Sequence, residues 1–99
     1  MNLRRLARGR PCFVRVPGVC DGGGETTVLA HIRLIGVSGM GLKAPDLLAS
    51  FACARCHSLV DGRVKSEWNY PERRLMLLEG MARTQYWLIS EGYLSETPL

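Results

Sequence analysis

Residues 28–63 read VLAHIRLIGVSGMGLKAPDLLASFACARCHSLVDGR. The stretch begins in β-branched and apolar residues that end on a histidine, crosses a glycine-rich segment, and closes on Cys-x-x-Cys-His followed by an aspartate. β-branched enrichment over Thr26–Leu34 predicts a strand with His31 near its end. Residues 36–45 must then be loop, because three glycines punctuate them. Pro45 is suited to open a short helix over 45–51, and the run from Cys53 predicts one or two further helical turns, stopped by Gly62.

Four cysteines stand in two arms, Cys12 with Cys20 and Cys53 with Cys56. The nearer arm, CFVRVPGVC, alternates before Pro17-Gly18, so it predicts a short strand running into a turn, the outline of a metal knuckle. Cys-x-x-Cys brings two sulfurs onto one ion from a tight turn, and four thiolates suit a tetrahedral structural zinc. The alternatives are reduced core cysteines or a redox pair; no strand-helix-strand pattern surrounds Cys53 and Cys56 to support the latter. A chain of 99 residues forms at most one domain, here over 1–99, and a domain this small benefits from such a staple.

Composition narrows the class. Hydrophobic residues make up 46% of the chain, which excludes a disordered tail, and no apolar run approaches the roughly 18 residues of a membrane span. The N-terminal residues are basic without a following apolar segment, so no secretory signal is expected and a reducing cytosol is. The net charge of +4 is uneven: residues 1–65 carry +6 and the remainder −2. Arg8 and Arg10 belong to a cluster of five arginines that precedes the first acidic residue, as a phosphate-binding surface would require.

His57 and Asp61 lie four apart, so on a helix both reach one cation from one face. A helix pinned at its start by two metal-bound cysteines would give that pair a rigid platform. The last segment predicts an amphipathic helix that starts at Pro71 and ends before Gly92, with Leu75, Leu78, Ala82, Tyr86 and Ile89 packed on the rest. Gly80 interrupts it and implies a close approach or a bend.

A strand ending in His, a loop, and a helix carrying His and Asp follow the order of the ββα-metal unit, and here the chain resembles the HNH nuclease superfamily. The segments ARGRPCFVRVPGVC, ETTVLAHIRLIG, PDLLASFACARCH and LEGMARTQ extend the resemblance over nearly the whole chain to the small prophage-encoded nuclease family of YbcO. The resemblance implies an α+β fold, a zinc-stapled ββα-metal (HNH-like) unit with a C-terminal amphipathic helix, acting as a DNA endonuclease. It assigns His31 as general base and His57 and Asp61 as ligands of a catalytic Mg²⁺ or another divalent cation. Arg33, Arg55 and Arg63 stand beside these residues in sequence as phosphate contacts. Two departures are evident: Ala30 occupies a position usually held by a ligand, and no asparagine lies between His31 and His57. Asp46 is the candidate for either vacancy, as a brace for the histidine or as a replacement ligand. The alternative to an enzyme is a non-catalytic zinc module that binds DNA. A module that docks proteins through the aromatics at 68–70 and 86–87 is a third class.

Overall fold

A computed structural model describes residues 1–39 and 41–95. Helix α1, Leu3–Ala7, opens the chain: Asn2 caps it by accepting from the Arg5 amide at 3.1 Å, and Leu3 and Ala7 are buried beneath it. Strands β1, Val28–His31, and β2, Ala49–Ala52, pair antiparallel, with Leu29 opposite Phe51 and His31 opposite Ala49. A single 3₁₀ turn over Asp46–Leu48 leads into β2. Helix α2, Ala54–Val60, follows at once, and helix α3, Tyr70–Ser90, spans the sheet. The result, over the described residues, is an α+β fold of two strands and three helices. No helix of the described residues is long and apolar enough to cross a membrane.

Strand β2 is buried along its whole length. On the edge away from β1, Phe51 gives its carbonyl to the Phe13 amide at 2.9 Å and its amide to the Thr84 hydroxyl oxygen at 3.0 Å. The Thr84 hydroxyl in turn donates to the Gly80 carbonyl at 2.8 Å. A two-stranded sheet would otherwise leave those backbone groups without partners inside the core. Two apolar clusters flank the strand. One gathers Phe13, Leu29, Phe51 and Leu88 with Leu3 and Ala7; the other gathers Val14, Val16, Ile32, Leu77 and Met81 around three of the cysteines.

Four expectations change. The expected helix over 45–51 is only the 3₁₀ turn, because Ala49–Ala52 is taken up by pairing with β1. The strand expected over 26–34 is limited to Val28–His31. The segment between Cys12 and Cys20 is no strand: Arg15 sits at φ 58°, a left-handed conformation that breaks any extended run. Helix α3 has the expected ends, with an Asn69–Glu72 capping box and Gly92 at φ 83° beyond it, yet it buries another face. Leu77, Gly80, Met81, Thr84 and Leu88 face the core, while Leu75, Leu78, Ala82, Tyr86 and Ile89 face solvent.

Candidate active site and cysteine centre

The two cysteine arms converge. The sulfurs of Cys12, Cys20, Cys53 and Cys56 lie within 4.8 Å of one another, with Cys12, Cys53 and Cys56 buried and Cys20 partly so. All four are free thiols. Backbone amides face them: Gly22 donates to Cys20 Sγ at 3.3 Å, and Cys56 donates to Cys53 Sγ at 3.4 Å, so that Cys53 also caps α2. The left-handed turn at Arg15 belongs to the same knuckle, since the Arg15 and Val14 amides point at Cys12.

The close approach of Cys12 and Cys56 draws Cys12 well below and pushes Cys56 well above the usual thiol range, while burial raises Cys20. Four thiolates cannot be packed together without a cation to balance them. A tetrahedral zinc thiolate site spaces its sulfurs by about 3.8 Å, so the observed quartet fits a metal ion with small adjustments.

His31 ends β1, and its Nε2 meets Asp46 Oδ1 at 2.8 Å. The bond crosses from the strand to the 3₁₀ turn that precedes its partner strand, so the hairpin register sets it. The Asp46 carboxyl is held below its ordinary range, first by His31 and then by Arg4, whose Nε lies 3.7 Å away. Asp46 thus stands within hydrogen-bond distance of His31.

On α2, His57 Nε2 lies 3.1 Å from Asp61 Oδ2, and Arg63 reaches the same oxygen at 3.2 Å. Asp61 caps the helix, and only 9% of its side chain is exposed, so this carboxylate is nearly enclosed by its two partners. Burial lowers the His57 pKa despite the neighbouring Asp61, favouring the neutral ring that a metal ligand must offer.

One cleft of about 550 Å³ brings these groups together: His31, Arg33, His57, Asp61 and Arg63 all line it. A second, of about 670 Å³, meets it at His31 and is lined by Arg4, Arg8 and Lys43. His31 therefore stands where two basic clefts join. Arg55 is elsewhere, beside Trp68 in a third cleft, and Arg10 lies over the Trp87 ring at 5.7 Å. The closeness of Arg4 and Lys43 to His31 is not indicated by sequence order, because α1 and Lys43 reach His31 only through the fold. Ala30 is fully buried opposite Ser50, so its position contributes nothing to the cleft. Among the described residues, the cysteine quartet is the group of three or more potential ligands brought together.

A family model described as "Putative nuclease YbcO" matches residues 1–93. The chain is 52% identical over 92 residues to "Putative nuclease YbcO" of Escherichia coli (strain K12), covering 92% of this chain and 94% of that one. The protein of the same description from Enterobacteria phage 82 matches with the same identity and coverage. A solved structure described as "Structure of a putative bacteriophage protein from Escherichia coli str. K-12 substr. MG1655" superposes with a TM-score of 0.75 at 45% identity, over 92% of this chain and 100% of that chain.

Proposed function

The chain belongs to the YbcO family, whose relatives bear the name nuclease, and from that premise we propose that it is an HNH-type endonuclease, one domain over 1–99 that hydrolyses phosphodiester bonds in DNA. The observation that carries the proposal is the single cleft in which His31, braced by Asp46, faces His57 and Asp61.

Each side chain has a role that its position supports. His31, with Nε2 engaged by Asp46, is oriented to take a proton from water through its other ring nitrogen. Asp46 holds the ring and balances the positive charge that this transfer creates. His57 and Asp61 would hold a divalent cation, Mg²⁺ or another, which when bound supplies charge stabilisation at the leaving oxygen. Arg33 and Arg63 flank the cleft and would clamp neighbouring phosphates, and Arg4, Arg8 and Lys43 extend the positive surface past His31. In the cysteine quartet, Zn²⁺ would act as a structural ion that fixes the start of α2 beneath the cleft.

The second reading, a zinc module that binds DNA without cutting it, draws on the enclosed Ala30 and on a His57–Asp61 pair that lacks a third neighbouring ligand among the described residues. Plasmid nicking with added divalent cation separates the two. We expect nicking by the parent chain, and a loss of about 10²-fold or more in His31→Ala with DNA affinity retained and no more stability lost than the Asp46 contact contributes. DNA binding without nicking under any divalent cation would select the non-catalytic module. A lowered melting temperature with unchanged nicking would make His31 a structural residue.

A further inference from the structure

One oxygen of the Asp61 carboxylate is shared between two donors. Asp61 Oδ2 lies 3.1 Å from His57 Nε2 and 3.2 Å from Arg63 Nη2, and only 9% of its side chain is exposed. Neighbouring ligands of an octahedral ion, each held at about 2.1 Å, stand about 3.0 Å apart, so the His57–Asp61 spacing is that of two adjacent ligands. Arg63 takes a lone pair of the oxygen that such an ion would need. A divalent cation bound there would also meet the guanidinium at close range, and two positive charges on one oxygen repel.

The backbone of Arg63 is fixed while its side chain is not. Helix α2 ends in a Schellman turn, in which the Gly62 amide donates to the Leu59 carbonyl at 3.0 Å and the Arg63 amide to the Ser58 carbonyl at 2.9 Å, with Gly62 at φ 74°. The Arg63 side chain is 60% exposed and has room to turn. The charge of the cleft favours that movement. Arg33, Lys43 and Arg63 line it against the one carboxylate of Asp61, so its described residues oppose the entry of a further cation until anions arrive. DNA brings those anions as phosphates, and a guanidinium pairs with phosphate in the same forked geometry as with carboxylate.

We propose that Arg63 is an exchange residue, which leaves Asp61 for a substrate phosphate and so couples the binding of the divalent cation to the binding of DNA. The inference rests on the reading of His57 and Asp61 as cation ligands. With Arg63 on Asp61, the carboxylate is occupied and the cleft is positive. With Arg63 on a phosphate, the carboxylate is open and the phosphates balance the remaining cations. Each ligand then raises the affinity of the other by the same factor. A single exposed ion pair places that factor at the low end of such couplings, about 5-fold to 20-fold.

Manganese(II) is the probe, with the free ion counted by its paramagnetic resonance in titrations of the full chain. His31→Ala serves as the parent, so that DNA is bound and not cut, and the added change His57→Ala defines the ions held elsewhere, those on DNA included. The His57-dependent site should take Mn²⁺ about 5-fold to 20-fold more tightly with a saturating short duplex than without it. Arg63→Gln should bind Mn²⁺ more tightly than the parent when DNA is absent and should keep only about 2-fold of the DNA effect, from the field of the phosphates themselves. Its melting temperature should match the parent's, because the exchanged side chain is exposed. Arg63→Lys should restore most of the coupling, since a positive charge at this position can make either contact. Equal Mn²⁺ affinity with and without duplex in the parent, or an undiminished DNA effect in Arg63→Gln, would overturn the exchange and leave the cation site standing. No His57-dependent Mn²⁺ in any of these forms, with or without DNA, would overturn the cation site itself and the exchange with it.

Discussion

Asp46 carries two kinds of work that one substitution can separate. Its Oδ1 accepts from His31 Nε2 at 2.8 Å, and its negative charge faces both His31 and Arg4. Asp46→Asn keeps an oxygen that can accept and removes the charge, so the ring stays oriented while the imidazolium formed on proton transfer loses its balancing neighbour. Under the proposed mechanism we expect nicking to fall by about 10-fold to 100-fold, the range typical of a partner that orients a functional group. Stability has its own sign. The folded-state pKa of Asp46 lies below its ordinary 3.8, so its contribution is present above 3.8 and is lost as pH falls through the folded value. Melting curves of the parent and of Asp46→Asn should therefore differ at neutral pH and converge in acid below 3.8. A gap that stays constant down to strong acid would mean that the carboxylate's charge is not what stabilises this corner.

Helix α3 is where local sequence and packing disagree most. Glycine in a helix interior ordinarily costs about 1 kcal/mol relative to alanine, so Gly80→Ala should stabilise by propensity alone. Here a Cβ would stand 2.5 Å from Ser50 Oγ and 3.1 Å from Val14 Cγ2. Ser50 is fully buried on β2 and cannot withdraw, so we expect Gly80→Ala to destabilise by about 1 to 3 kcal/mol, read from denaturant unfolding. Ser50→Ala in the same chain removes the nearest atom and should recover part of the loss. Additive effects of the two changes would show that the helix does not ride on the strand at this point.

The same contact explains why the buried face was not legible in the sequence. A hydrophobic pattern selects Leu75, Leu78 and Ile89, whereas the true contact face includes Gly80 for its lack of a side chain and Thr84 for its hydroxyl on the Phe51 amide. The helix ends were legible, because Asn69, Pro71 and Gly92 act locally. Strand β2 was not, since Ala49–Ala52 becomes extended only by pairing with residues 18 to 24 positions earlier. His31, His57 and Asp61 were legible as a set from their order, and the cysteine quartet from its spacing. Arg4 and Lys43 were not, because short helix α1 and an irregular loop deliver them.

Across the whole molecule, one centre joins an irregular N-terminal segment to the start of α2. Residues 10–27 contain neither helix nor strand, and backbone bonds such as Cys12 to Gly22 at 3.0 Å and Gly24 to Arg10 at 3.0 Å tie the segment mainly to itself. Cys12 and Cys20 fasten it to Cys53 and Cys56 at the start of α2, and the cluster around them includes Leu77 and Met81 of α3, with Trp68 packed on its side. An ion held there would cross-link two segments beneath α3, and its binding free energy would be folding free energy. We therefore expect one zinc equivalent per chain by atomic spectroscopy after dialysis. A strong chelator should lower the melting temperature and shift Trp68 emission to the red as the cluster opens. Cys56→Ser should be more damaging than Cys20→Ser, because Cys56 is fully buried in the core cluster and Cys20 sits at its margin. His57→Ala should leave the zinc content unchanged, since its imidazole belongs to the cleft and not to the quartet. A chain that folds to the same melting temperature in chelator as in zinc would mean that the four thiols are a reduced core.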